Sequence, residues 1–191
     1  MIEAELKARV RAPESVKFEL EKLATARVEV YRDTYYDRPD RALGERDQEL
    51  RVRTVHSADD SRTVLTFKDA TVDEASGSKP EHETRVDDPE AVHAIVEGLG
   101  YVPVIAFEKR CRNYQFEFAG RKMLATLVRV PEVDGTFIEV ETLVVEEEGE
   151  DDVRSALEDV RAVVESLGIG PEDLTRELYT DAVKARRHRQ T

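Results

Sequence analysis

The chain has 191 residues, with 29 Lys and Arg against 42 Asp and Glu, for a formal net charge of −13. That length fits one domain better than two. That charge repels nucleic-acid phosphates, which excludes a nucleic-acid scaffold unless a basic patch is set apart. Apolar residues at 40% and charged residues at 37% can build a core and a solvated exterior, which argues against wholesale disorder. No apolar run approaches the roughly 20 residues of a membrane span. The start, Met1-Ile2-Glu3-Ala4-Glu5, lacks an apolar signal segment. Cys111 stands alone, so an internal disulfide framework and a Cys-based zinc site are excluded, and a reducing, cytoplasmic setting is expected. His56, His82, His93 and His188 are scattered, which leaves a hard cation on carboxylate oxygens as the expected metal chemistry.

Residues 2–11 read as a strand, with Ile2, Ala4, Leu6, Ala8 and Val10 on one parity and Glu3, Glu5, Lys7, Arg9 and Arg11 on the other. Pro13 and Ser15 open a helix carrying Val16, Leu20 and Leu23. Residues 27–37 form a strand, and Pro39 to Asp47 a polar loop. Leu50–Val55 and Thr63–Lys68 are paired strands across a turn-rich link, and Glu81–Val86 follows a loop over 69–79. Asp88-Pro89-Glu90 starts a helix that Gly100 stops. Strands are predicted at 102–110, 112–119, 122–130 and 136–145, with Gly120 and Asp134-Gly135 as turns. Glu146 to Asp152 is a solvated acidic run, expected to be the most flexible segment. One helix runs from Asp152 to Gly168, and a last one from Pro171 to about Lys184. Residues 1–185 read as one domain and 186–191 as a frayed basic tail. About eight strands and four helices, with short turns between strand neighbours, give an α+β class dominated by antiparallel pairing.

The polar parity of these strands is unusually charged, and it is so strand after strand. Glu3, Glu5 and Lys7 begin the series, and Arg51 and Arg53 flank Val52. Lys68 ends a strand, Lys79, Glu81, Glu83 and Arg85 share one parity, and Lys109, Arg110 and Arg112 follow. Glu139 and Glu141 alternate with Ile138 and Val140. One such face is an ordinary solvated surface. Many together are satisfied by rolling the sheet so that the charged faces line a shared interior and the apolar faces lie under the helices. Carboxylates there suit Mg²⁺ or Mn²⁺, and Arg and Lys suit a polyphosphate.

At these residues the chain resembles the CYTH superfamily, the triphosphate tunnel metalloenzymes. Glu3-Ala4-Glu5-Leu6-Lys7 is similar to the family's Glu-x-Glu-x-Lys motif, and Asp33-Thr34-Tyr35-Tyr36-Asp37 to its Asp-x-Tyr-Tyr/Phe-Asp segment. Leu50-Arg51-Val52-Arg53, Thr66-Phe67-Lys68 and Lys79-x-Glu81-x-Glu83 resemble three further strands, with Lys79 where the family has Arg. Gly135 to Glu141 resembles Gly-x-Phe-x-Glu-x-Glu, and Leu178-Tyr179 the closing Ser-Tyr pair. The matches keep family order from residue 3 to about 180.

The resemblance implies an eight-stranded antiparallel β tunnel flanked by about four helices. It implies metal carboxylates at Glu3, Glu5, Glu139 and Glu141, with Glu81 or Glu83 assisting. Lys7, Arg51, Arg53, Lys68, Lys109 and Arg110 would hold the triphosphate, and the charged parity adds Lys79, Arg85 and Arg112. Members usually carry an Asp shortly before Gly-x-Phe; Leu124 to Val130 has none and offers Thr126 or Arg129. Cys111 stands where many relatives have another basic residue. The implied reaction is conversion of ATP to cyclic AMP and pyrophosphate, as in class IV adenylate cyclases. Hydrolysis of thiamine triphosphate, tripolyphosphate or a nucleoside triphosphate is the second reading, and a non-catalytic polyanion-binding module the third. Glu81, Glu83, Lys7 and Lys68 are the candidate bases. Leu174, Leu178 and Val183 could support a homodimer or a lid over the tunnel.

Overall fold

A computed structural model describes residues 1–72, 78–145 and 150–190. In chain order its elements are β1 (Ile2–Val10), α1 (Pro13–Leu23), β2 (Arg27–Asp37), α2 (Ala42–Glu45), β3 (Glu49–His56), β4 (Ser61–Lys68) and β5 (Lys79–Val86). Then come α3 (Pro89–Gly98), β6 (Val102–Phe118), β7 (Arg121–Arg129), β8 (Thr136–Val144), α4 (Glu150–Ser166) and α5 (Tyr179–His188). The strands close into an antiparallel barrel in the order β1-β5-β4-β3-β2-β6-β7-β8. The fold is therefore the expected α+β tunnel. Among the described residues no helix is long and apolar enough to cross a membrane.

Local sequence accounts for these boundaries. Pro89 enters α3 behind Asp88, whose side chain accepts the Ala91 N–H at 2.9 Å. Gly100 leaves that helix with φ +92, a left-handed turn that a side chain would resist. The apolar parity faces outward as expected. Leu6 and Ala8 of β1, Met123 and Ala125 of β7, and Ile138 and Val140 of β8 pack beneath Val160, Val163 and Val164 of α4 and Leu20 of α1. Val92 and Val96 of α3 cover Tyr36 and Val52 in the same way. With that face buried under helices, a slip of one residue would bury the charges, so the register is fixed by the pattern.

Four expectations change. The strands predicted at 102–110 and 112–119 are one element, β6. Its inner parity runs unbroken through Phe107, Lys109, Cys111 and Asn113, all buried. Its first part pairs with β2 and its last part with β7, so one long strand serves two neighbours. The loop over 39–47 contains the one-turn helix α2, whose Leu43 N–H is held by the Asp37 carboxylate at 2.9 Å. The last helix begins at Tyr179 rather than Pro171. Pro171–Asp173 is a 3₁₀ turn, and the extended stretch behind it bridges Leu174 to Ala8 of β1. α5 then runs through His188, and Arg187 donates to Glu132 at 2.7 and 2.8 Å, so the expected frayed tail is partly helix. The expected flexible run at 146–152 begins outside the described residues, which resume at Glu150 in α4.

Candidate active site

One cavity of about 680 Å³ fills the barrel interior. β1 and β8 present Glu3, Glu5, Lys7, Glu139 and Glu141 to it. β3, β4 and β5 present Arg51, Arg53, Lys68, Glu81 and Glu83, and β6 presents Lys109. At one end the inner parity turns apolar: Tyr35, Phe107, Val128 and Phe137 pack with Tyr179 and Val183 of α5. α5 thereby seats the Tyr179 ring against the charged zone.

Two subsites of opposite character share the wall. Glu3, Glu5 and Glu141 each offer a carboxylate oxygen, all within 4.8 Å of one another. The register explains it: Glu5 and Glu141 are direct cross-strand partners, and Glu3 lies one inward position along β1. Repulsion between unit charges at that spacing is about 3.5 kcal/mol per pair at an effective dielectric of about 20. The group therefore cannot hold three full charges alone. Burial, then Glu3 and Glu139, push the Glu5 carboxyl up to about 8. Burial, then Glu3 and Glu5, push Glu141 well above the carboxylate range. Burial works to raise Glu3 too, but Lys68 outweighs it and holds that carboxyl at about 2. Oxygen donors on facing strands, short of positive charge, fit a hard divalent cation.

The second subsite is cationic. Arg53 is clamped by Asp33 through two contacts of 2.7 Å. Arg51 bonds Thr66 at 3.3 Å, and its buried Nε has no hydrogen-bond partner among the described residues. Lys109 lies 3.8 Å from Glu139 and 4.7 Å from the centre of the Tyr179 ring, while Lys7 stands 4.6 Å from that ring. Lys7 also donates to the Glu177 carbonyl. Burial lowers the Lys7 ammonium below its ordinary range, against the pull of Glu139 and Glu5. Lys68 behaves oppositely. Burial would lower it, but Glu3 and Glu81 raise it well above the lysine range; it bonds Glu3 and lies 3.2 Å from Glu81.

Of the residues singled out in the sequence, Lys79, Arg85, Arg110 and Arg112 are not part of the cavity wall. Lys79 is drawn off to Asp47, at 2.7 Å from its carboxylate. Arg85 shares the inward parity and pairs with the wall residue Val64, but its side chain is exposed. Arg110 alternates with Lys109, so it points out to Glu108 at 3.1 Å, and Arg112 follows the same outward parity. Glu139 stands among cations rather than in the tight carboxylate group. Thr126 lines the wall and donates to Asn113 at 2.9 Å, so no carboxylate fills that position. Cys111 is buried, with its thiol pushed by burial up to about 12, and is unreactive.

Sequence reasoning missed Arg62, Glu49 and Tyr31 as wall residues and Asp33 as the clamp on Arg53. The signal existed: Glu29, Tyr31, Asp33 and Tyr35 share one parity of β2, the same alternation that marks β1 and β8.

A closed antiparallel barrel with carboxylates and guanidiniums converging inside defines a charged β-tunnel type of protein. The chain belongs to the CYTH family, whose CYTH domain matches residues 1–179. It is 25% identical over 183 residues, 95% of this chain and 98% of the relative, to a Methanocaldococcus jannaschii protein named "Putative adenylate cyclase". It shares its fold with a Vibrio parahaemolyticus structure described by the same words, at TM-score 0.80 and 17% identity, covering 96% of this chain and 98% of that one. A Hippeastrum structure, a "putative adenylyl cyclase" described as having a dominant triphosphatase activity, aligns at TM-score 0.62 and 17% identity, covering 97% and 96%.

Proposed function

We propose that this protein is a metal-dependent enzyme that acts on the phosphate chain of a nucleoside triphosphate. The first reading is conversion of ATP to cyclic AMP and pyrophosphate. The observation that carries the proposal is the meeting of two opposite subsites in one cavity: Glu3, Glu5 and Glu141 within 4.8 Å, and the buried Nε of Arg51, without a partner among the described residues, beside the clamped Arg53. Neither half serves alone. Bare carboxylates repel a polyphosphate, and a wholly basic tunnel gives a divalent cation no oxygen ligands.

Glu3, Glu5 and Glu141 would hold Mg²⁺ or Mn²⁺, which supplies charge neutralisation on phosphoryl oxygens when bound. Arg51, Arg53 and Lys109 neutralise non-bridging and leaving oxygens, and the Asp33 clamp fixes Arg53 before substrate arrives. Lys68 is committed to Glu3 and Glu81, so it orders the carboxylates and does not take a proton. Lys7 is the better base, since it faces Glu139 and Tyr179 and burial weakens its hold on a proton. In the cyclase reaction the ribose 3′-oxygen forms a bond to the α-phosphorus and its proton passes to the Lys7 amine. The bond from the α-phosphorus to the bridging oxygen breaks, and pyrophosphate leaves with that electron pair.

The curated relative named as an adenylate cyclase supports this order of readings. Hydrolysis of the terminal phosphate is the second reading, supported by the triphosphatase activity described for the Hippeastrum neighbour. Incubation of the purified protein with ATP or tripolyphosphate and Mg²⁺ or Mn²⁺ tests both. Cyclic AMP with equimolar pyrophosphate is the expected product. Orthophosphate alone would select hydrolysis, and no turnover would reject an enzyme.

A further inference from the structure

A second cavity of about 290 Å³ lies against the first. Tyr31, Arg62 and Leu124 belong to both walls. The register sets its place relative to the carboxylate group. Leu124 is the direct partner of Glu141 on β8 and of Gln115 on β6. Two strand spacings, about 10 Å, therefore separate the backbone that carries Glu141 from the backbone that carries the side cavity. A group attached to a phosphate held beside Glu141 would reach past Leu124 into that cavity.

The side cavity is built rather than incidental. Glu29 is only 2% exposed, yet it is fully matched. It accepts from Arg62 at 2.7 Å and from Asn113 at 2.6 Å, and Arg27 lies 2.6 Å from it. Asn113 also donates to the Tyr31 hydroxyl at 2.7 Å. This network fixes the flat Arg62 guanidinium between the two cavities. Its Nη1 and Nη2 are turned to Glu29, at 2.7 and 3.3 Å. Leu124 adds apolar surface at the same wall, while Thr25 and Gln115, both exposed, stand at the rim with donors and acceptors to spare.

A guanidinium face, an aliphatic wall and an amide and a hydroxyl at the rim suit a flat heteroaromatic group with a polar edge. Side-chain amides pair with donor and acceptor groups on such edges. An inorganic phosphate chain would gain nothing from the aliphatic wall. We propose that the side cavity seats the base of a nucleoside triphosphate whose phosphates lie in the main cavity. Arg62 and Leu124 bound its face, and Gln115 and Thr25 meet its edge. This deepens the triphosphate reading above and rests on it.

The test separates the two claims. Methylene-bridged analogues of ATP and of tripolyphosphate, which do not turn over, are titrated with Mg²⁺ into wild type, Gln115→Ala and Thr25→Trp. The substituted positions are exposed, so the fold should tolerate both changes. Thr25→Trp fills the side cavity from its rim, and Gln115→Ala removes an edge contact. Both should weaken the ATP analogue by about tenfold or more, the loss of one well-made contact, and leave the tripolyphosphate analogue unchanged. Equal weakening of both ligands, or of neither, overturns the base site. Wild type that binds the tripolyphosphate analogue but not the ATP analogue also overturns it, and cuts the function proposed above back to an inorganic triphosphate. Binding of neither by wild type removes both.

Discussion

Asp33 and Arg53 meet across the β2–β3 pair through two parallel contacts of 2.7 Å, with the Asp33 side chain fully enclosed. Each residue alone would be costly in a barrel interior; together they place a guanidinium in the cavity in one fixed orientation. Removing one partner leaves a buried, uncompensated charge. Asp33→Ala should therefore cost about 3–5 kcal/mol in chemical denaturation, with substrate binding weakened as well. An unchanged midpoint would show that the clamp is not structural.

The same pair predicts behaviour in acid. Burial acts to raise the Asp33 carboxyl, but Arg53 outweighs it and holds it well below its ordinary 3.8. The pair's stabilisation is therefore fully present above the unfolded value and is lost as pH falls below it. Glu3, held at about 2 chiefly by Lys68 against burial, acts in the same direction. Unfolding followed from pH 6 to pH 2 should show steepening loss of stability below about pH 4 in wild type, and a flatter profile in Asp33→Asn.

Glu5 and Glu141 act with the opposite sign. The folded chain without a cation keeps the Glu5 proton to about 8, whereas the unfolded chain releases it near 4.5. Stability contributed by that proton falls as pH rises between those values. A divalent cation needs the deprotonated ligands, so its binding strengthens over the same window. The rise in melting temperature given by Mg²⁺ or Mn²⁺ should be larger at pH 8 than at pH 6. An equal rise at both would separate metal binding from this carboxylate group.

Much of this was legible because β strands alternate. Glu3, Glu5 and Lys7 against Ala4, Leu6 and Ala8 already showed which face was charged, and the ordered motifs showed that the strands share one interior. The subsite to which each charge belongs was not legible, since it depends on register between strands distant in the chain. Glu139 and Glu141 look alike in sequence. Pairing places Glu141 opposite Glu5, and Glu139 opposite Lys7 and near Lys109. Adjacent Lys109 and Arg110 look equally basic, yet alternation turns only the first inward. Arg62 was overlooked because its partner Glu29 lies 33 residues away on a strand two places along the barrel.

That contrast between the two glutamates makes a mutational prediction. Glu141→Gln should weaken Mn²⁺ binding by at least about tenfold, as expected for loss of a metal-site residue. Glu139→Gln should weaken it less and mainly disturb Lys7 and Lys109. Calorimetric titration of both variants checks the order; a reversed order would reassign the metal to Glu139.

Lys7→Arg places a permanent cation there and removes the capacity to accept a proton near neutral pH. It should lower kcat by about 100-fold or more, with KM changed far less. Retention of kcat would move proton transfer to another group.

The most direct test is a crystal structure of the protein with Mn²⁺ and a non-hydrolysable triphosphate, with the ion located by its anomalous scattering. Manganese should lie between Glu3, Glu5 and Glu141, and the phosphate chain against Arg51, Arg53 and Lys109. Manganese elsewhere, or a phosphate chain outside the barrel, would contradict the account.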